Sequence, residues 1–201
     1  MSTAKDLFII AMDPRPDRAV GQGDLSLALA GAELIDLLGA QAAVLDGDRI
    51  VPGGQPDLND ELLAEASSAL SRQTPYERVE DWLWRRGRDL SASYQAALEE
   101  AGHLTRGRRG LLPFGTDRLE VADTPVHRRA LSRWEADEPV LASLAATVGV
   151  REPRSEDEPG PDDEAVTTVL AVVGDAVMEL EAVRQRRSIE NAAFANVWRV
   201  P

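Results

Sequence analysis

The residues best suited to bind a ligand are arginines that stand close together beside a tryptophan. Arg85, Arg86 and Arg88 follow Trp84 at the end of a predicted helix. Guanidinium groups bind phosphate oxygens through paired N–H donors, and an indole ring offers a flat apolar wall. The sequence therefore predicts a site for a phosphorylated head group at Trp84, Arg85, Arg86 and Arg88.

A second basic group lies in a glycine-rich segment further along the chain. Its members, with the apolar residues that follow them, are Arg106, Arg108, Arg109, Leu111, Leu112 and Phe114. Charge next to apolar side chains favours contact with lipid head groups and the membrane interface. The apolar residues also suit a homodimer contact through this segment. A simpler interpretation stays open for both groups: surface arginines paired with the abundant carboxylates.

The charge of the chain limits the partners that these arginines can have. The net charge is −13, which opposes general attraction to nucleic acids or anionic membranes. Between positions 85 and 133, however, ten arginines stand against six carboxylates, a local balance of +4 that leaves −17 for the rest of the chain. Anion binding is therefore expected to be local, weak and sensitive to salt.

Other patterns that would indicate catalysis, a metal or a cofactor are missing from the sequence. It has no serine-hydrolase, zinc-protease, phosphate-loop or dinucleotide motif and no cysteine, and its two histidines are too few for a histidine metal cluster. Glu33 and Asp36, one helical turn apart, are interpreted as a solvated helix face rather than an acid–base pair. We expect a protein without enzymatic activity, metal or cofactor.

The elements that position these residues are mostly helical. With 43% apolar but only 4% aromatic residues in 201, the chain can bury a core of leucine, alanine and valine. Apolar spacing and capping residues predict helices over about 24–39, 57–72, 74–86, 90–101, 124–134, 138–148 and 165–187. The third is expected to begin at a capping box, Thr74-Pro75-Tyr76-Glu77, and to bury Trp82.

Two β elements are predicted between the helices. Asp46-Gly47-Asp48 separates two short apolar runs and predicts a hairpin turn rather than a calcium loop, and residues 104–121 predict a second hairpin or wing. Residues 149–164 are expected to form an acidic loop rich in proline and glycine. The fold class that follows is mainly α: a single globular helical domain over residues 1–201 with a small β-hairpin or wing-like element. The apolar run Leu7 to Met12 is too short for a signal peptide or a membrane span, which predicts a cytoplasmic protein able to act at a membrane surface.

Three segments together resemble the Golgi phosphoprotein 3-like family, including its bacterial and actinobacterial members. They read AGAELIDLLGAQAAV, TPYERVEDWLWRRGRD and LEEAGHLTRGRRGLLPFG. The resemblance implies a mainly helical domain with a hydrophobic β-hairpin. In eukaryotic members it implies a peripheral membrane protein that binds phosphatidylinositol 4-phosphate and helps retain glycosyltransferases in the Golgi. The positions that match the family's phosphate pocket fall near Gly21, Ala30, Arg88 and Ser91, so the pocket is largely not retained and Arg88 is its remaining arginine.

The leading hypothesis is a non-enzymatic peripheral membrane or protein-interaction module that binds an anionic lipid head group or a phosphate-bearing ligand weakly. The sequence does not identify a protein partner. The alternative is a winged-helix-like nucleic-acid-binding protein, because helices followed by an arginine-tipped hairpin also describe that motif. Against it, the helix that would enter the groove, 90–101, offers Gln95, Glu99 and Glu100, and phosphate would repel the two carboxylates.

Overall fold

The computed structural model describes residues 2–12, 20–107, 118–152 and 160–197. Within these ranges the mainly α fold class is confirmed, with eight helices and two antiparallel two-stranded hairpins. The elements are α1 Thr3–Met12, α2 Gln22–Gly39, β1 Ala43–Asp46, β2 Arg49–Pro52, α3 Glu61–Ser68, α4 Val79–Arg86, α5 Leu90–Glu100, β3 Leu104–Gly107, β4 Arg118–Val121, α6 Pro125–Glu135, α7 Pro139–Thr147 and α8 Glu164–Val197.

Helix α2 is the centre of the core. It contacts α1, α3, α4, α5, α7 and α8, and most of its side chains from Leu25 to Leu37 are buried. The predicted helix is confirmed, although it begins at Gln22 rather than at Asp24, where a capping aspartate would place its start. Gly21 is the N-cap residue and no side chain caps the helix, while Asp24 lies in the first turn and binds an arginine of α8.

Helix α1 is the element that the sequence pattern does not indicate. Leu7, Phe8, Ile9 and Ile10 are all buried, so this short helix is covered on every side. A helix without a solvent-exposed face shows no amphipathic period, and that period is the signal by which a helix is predicted from sequence. The apolar run Leu7 to Met12 is therefore part of the core.

The first hairpin is confirmed as predicted. β1 pairs with β2 so that Asp46 lies opposite Arg49, and Gly47 in the turn has φ of +60°. Glycine adopts this left-handed conformation without the steric cost that a side chain imposes. The hairpin also receives the segment before α4, since Ile50 N donates to Glu77 O at 2.8 Å and Val79 N donates to Asp48 O at 2.9 Å.

Three helices have boundaries that differ from prediction by several residues. α8 continues to Val197, beyond the predicted end near position 187. α3 is shorter than predicted, beginning after Asp60, whose side chain accepts a hydrogen bond from Leu63 N. α4 begins at Val79 with Arg78 as its N-cap, so the predicted capping box from Thr74 is wrong. Residues 77–79 pair with the hairpin instead, and this extended pairing delays the helix. The expected burial of Trp82 is confirmed, at 0% exposure.

The second half of the chain follows the predicted order. Thr124 caps α6 by accepting a hydrogen bond from His127 N at 3.2 Å, and Glu138 caps α7 through Val140 N and Leu141 N. β3 and β4 pair within the predicted hairpin, with Leu104 opposite Val121. None of the helices in the described ranges combines the length and the apolar character that crossing a bilayer requires.

Candidate anion-binding cavity

A cavity of about 560 Å³ opens where the N-terminus of α2 meets the junction between α4 and α5. Gln22 and Gly23 border it on α2, Trp84 borders it on α4, and Arg88 borders it in the turn that follows. Leu180 of α8 also lines it. The cavity thus brings together two of the sequence-predicted site residues, Trp84 and Arg88.

Two serines that line the cavity join α2 to α5. Ser26 Oγ accepts a hydrogen bond from Ser91 N and donates one to Ser91 Oγ, each at 3.0 Å, and both residues are buried. Gly87 lets α4 end against α2, because a Cβ there would lie only 2.5 Å from Leu83 O and 3.2 Å from Ser26 O. These contacts fix the turn that carries Arg88.

Arg88 and Trp84 are the two side chains of the cavity best suited to an anion. Arg88 is exposed and has no ion pair with the described residues. Trp84, four residues earlier, keeps 36% of its surface exposed. An arginine without a carboxylate partner keeps its five N–H donors for a ligand, and the neighbouring indole limits the directions from which that ligand can approach.

The sequence match to known families covers all the elements that form this cavity. The family described as Golgi phosphoprotein 3 (GPP34) matches residues 4–189. The chain belongs to the Golgi phosphoprotein 3 family. A search of the curated proteins returned no match. The family match confirms the resemblance seen in the three sequence segments, and it extends from α1 into α8.

The structure places the four positions that the resemblance associates with the family's phosphate pocket in different surroundings. Ala30 is fully buried inside the core, Gly21 is the N-cap residue of α2, and Ser91 lines the cavity and is bound to Ser26. Arg88 alone of these matched positions offers a cation.

The other two arginines predicted for the site, Arg85 and Arg86, do not line the cavity of this family member. Arg85 donates to both carboxylate oxygens of Glu77, each at 2.7 Å. Arg86 donates to Glu33 at 2.8 and 3.0 Å and to Glu65 at 2.7 Å. Their forks are occupied by carboxylates, so we place the centre of the candidate site at Arg88.

Of the second predicted basic group, Arg106 is the one member that lies within the described residues of this family member. Arg106 lies in β3, opposite Leu119 of β4. The other five predicted residues, Arg108, Arg109, Leu111, Leu112 and Phe114, lie outside the described residues. Contact of this hairpin with lipid, or with a second copy of the chain, stays a prediction.

Much of the local excess of arginine is balanced by carboxylates from outside its own segment. Arg129 and Arg133 of α6 donate to Asp6 of α1 at 2.5 and 2.7 Å, and Arg133 also reaches Glu138 at 2.9 Å. Asp6 is fully buried. The count of +4 along the sequence therefore overstates the positive charge that this part of the fold presents to a ligand.

The interpretation of Glu33 and Asp36 as a solvated face of α2 is wrong. Glu33 is fully buried and binds Arg86, while Asp36 is half-buried and accepts a hydrogen bond from Thr3 N at 2.6 Å. Burial raises the pKa of both carboxyl groups, that of Asp36 to about 6. Their partners lie 53 and 33 positions away in the sequence, beyond the reach of a local pattern.

The structure gives no support to the winged-helix alternative. Helix α5, which would have to enter a DNA groove, packs Tyr94 and Leu98 into the core, and its exposed side includes Glu100. A carboxylate on that side opposes contact with phosphate. Within the described ranges, acidic and histidine side chains also form no cluster arranged to hold a metal ion.

Proposed function

We propose that this Golgi phosphoprotein 3 family member is a non-enzymatic peripheral module that binds an anionic head group weakly in the cavity beside Arg88. One observation carries the proposal. Of the arginines between 85 and 133 whose side chains the structure describes, Arg88 is the one without a carboxylate partner, and it borders a cavity. An unpaired guanidinium beside an open concave site is suited to a phosphate group.

The ligand chemistry is that of a phosphate monoester, carried by a lipid head group or free in solution. A cavity of about 560 Å³ is of the size that small ligands occupy. Because most of the chain is acidic, long-range attraction to an anionic surface is absent and the contact must be made locally. Weak affinity that falls steeply with salt is expected.

The test compares Arg88→Ala with Arg72→Ala. Arg72 is exposed, has no ion pair with the described residues and does not line the cavity, so it controls for the loss of one positive charge. Both variants and the native chain are titrated at low salt with inorganic phosphate. They are also sedimented with three kinds of phosphatidylcholine vesicle. The first contains no anionic lipid, the second contains phosphatidic acid, and the third contains phosphatidylinositol 4-phosphate.

Arg88→Ala is expected to weaken phosphate binding by about tenfold or more, because an arginine–phosphate contact contributes about 1.5–3 kcal/mol where water is excluded. Arg72→Ala should change it little. Binding to phosphate but to none of the vesicles would identify a soluble ligand rather than a membrane. Equal phosphate binding by Arg88→Ala and Arg72→Ala would show that Arg88 does not form an anion-binding site.

A further inference from the structure

We propose that Arg184 of α8 is a second cationic ligand of the anion in this cavity, and that Asp24 positions it there. The inference rests on the proposed function of the cavity and names a residue that the family's matched pocket positions do not include. It also gives the C-terminal helix, α8, a part in binding.

Asp24 holds Arg184 next to Gly23 and Leu180, two residues that line the cavity. Arg184 Nη1 donates to Asp24 Oδ1 and Oδ2, each at 2.7 Å, and the two residues lie 160 positions apart. Leu180, one helical turn earlier on α8, lines the cavity. Asp24 belongs to the first turn of α2, next to the cavity residue Gly23. The ion pair thus joins the two helices beside the proposed anion.

Gly23 shows where the rest of the guanidinium lies. A Cβ at this position would be 2.9 Å from Arg184 Nη2 and 2.8 Å from Leu180 Cδ2. Nη2 therefore approaches the backbone of a residue that lines the cavity, and it does so because Gly23 has no side chain.

The donors of Arg184 are only partly used. Asp24 engages Nη1, and Glu181 lies 3.6 Å from the same nitrogen. Nη2 and Nε have no hydrogen-bond acceptor among the described residues. A guanidinium held through one nitrogen can donate from the others, which is the arrangement that a bidentate phosphate contact requires. Arg88 and Arg184 would then approach one anion from two elements, α8 and the turn after α4.

Three variants separate direct binding from neutralisation of Asp24. Arg184→Ala removes the proposed ligand but leaves Asp24 as an unpaired negative charge near the anion. The double variant Arg184→Ala/Asp24→Asn removes that charge as well. Arg187→Ala is the matched control, because Arg187 lies one turn further along α8, is exposed and has no ion pair with the described residues. Each is titrated with inorganic phosphate at low salt, beside the native chain and Arg88→Ala, after circular dichroism has shown an unchanged helical signal.

A direct ligand predicts that the double variant stays about tenfold or more weaker than the native chain, and that Arg187→Ala changes affinity by less than about twofold. Native affinity in the double variant would overturn the inference, since Arg184 would then only neutralise Asp24. An equal loss in Arg187→Ala would overturn it too, as a general effect of charge. If Arg88→Ala binds like the native chain, the proposed function fails instead.

Discussion

Arg86 of α4 and Glu33 of α2 form a two-point ion pair inside the fold. Arg86 Nε lies 2.8 Å from Glu33 Oε2, and Nη2 lies 3.0 Å from Oε1. Tyr94 of α5 donates its hydroxyl to Oε1 at 3.1 Å. Burial raises the pKa of the Glu33 carboxyl, and the hydrogen bond from Arg86 opposes that rise. Three helices are therefore tied together through one buried carboxylate.

Removing the cation of this pair should destabilise the fold strongly. Arg86→Met leaves Glu33 buried without its cation, and breaking a buried pair in this way costs about 3–5 kcal/mol. The double variant Arg86→Met/Glu33→Met should recover much of that loss, because no unpaired charge remains. Urea unfolding measures both effects. The control is Arg128→Met, which breaks an exposed pair with Asp123 and should cost less than about 1 kcal/mol. Equal costs at both sites would contradict this prediction.

Asp36 gives the stability of the fold a dependence on pH. Its Oδ2 accepts hydrogen bonds from Thr3 N at 2.6 Å and Ala4 N at 3.4 Å at the start of α1. Burial raises its pKa from 3.8 to about 6, while the bonds from Thr3 and Ala4 oppose that rise. The folded state therefore binds a proton here more tightly than the unfolded state. The contribution to stability is fully present below about pH 4 and is lost as the pH rises through about 6.

Asp36→Asn should consequently gain stability relative to the native chain as the pH rises. An amide oxygen can replace Oδ2 as acceptor, and the cost of ionising a buried group, on the order of 3 kcal/mol for a shift of this size, disappears. The measurement is the difference in unfolding free energy between variant and native chain from about pH 4 to about pH 7. Asp46→Asn, at an exposed position, is the control. A difference for Asp36→Asn that stays constant over this range is the outcome that this prediction excludes.

Trp82 anchors α4 on α2, and its replacement should be costly. It is fully buried, and its Nε1 donates to Ala30 O at 3.0 Å. Trp82→Ala should lower the unfolding free energy by about 3–5 kcal/mol, from the lost apolar contact and the cavity left behind. Trp84→Ala is the matched comparison, because that ring is partly exposed. This substitution should lower the unfolding free energy by about 1 kcal/mol or less. Similar costs for the two tryptophans in urea unfolding would contradict the assigned core.

Local signals predicted much of this fold because they require only neighbouring residues. The Gly47 turn and the helix start near position 124 each depend on chemistry within a few positions, and both are confirmed. The capping box at Thr74 was an equally good local signal, but it is absent from the structure. Pairing of Glu77 and Val79 with the hairpin outweighed it, and that pairing depends on Ile50 and Asp48, which lie far earlier in the sequence.

The candidate site was predictable only in part for the same reason. Trp84 and Arg88 stand close in the sequence, so their proximity in the cavity could be expected. Whether an arginine is free or paired, however, is decided by distant carboxylates. Glu33 lies 53 positions from Arg86, and Asp24 lies 160 positions from Arg184. A count of charges along the segment could not distinguish the unpaired Arg88 from the paired Arg86. It also could not predict that α8 lies beside the cavity.

The tight contact between α2 and α8 at Gly31 gives a final prediction. A Cβ at Gly31 would lie 2.3 Å from Val173 Cγ2. Gly31→Ala should therefore cost about 1–3 kcal/mol through overpacking, although alanine favours a helix by about 1 kcal/mol. Gly174→Ala is the control, since a Cβ there meets nothing within 4 Å, and it should stabilise the fold by about 0.5–1 kcal/mol.

The pair Gly31→Ala and Val173→Ala tests that contact directly. Val173→Ala alone leaves a cavity in the fully buried interface. In the double variant the methyl group added at position 31 occupies space that the valine gave up, so the combined cost should be smaller than the sum of the single costs by about 1 kcal/mol or more. Urea unfolding of the native chain, the two single variants and the double variant completes this double-mutant cycle. Strictly additive costs would show that α2 and α8 are not in contact at this point, and the docking of α8 that brings Arg184 to the cavity would lose its support.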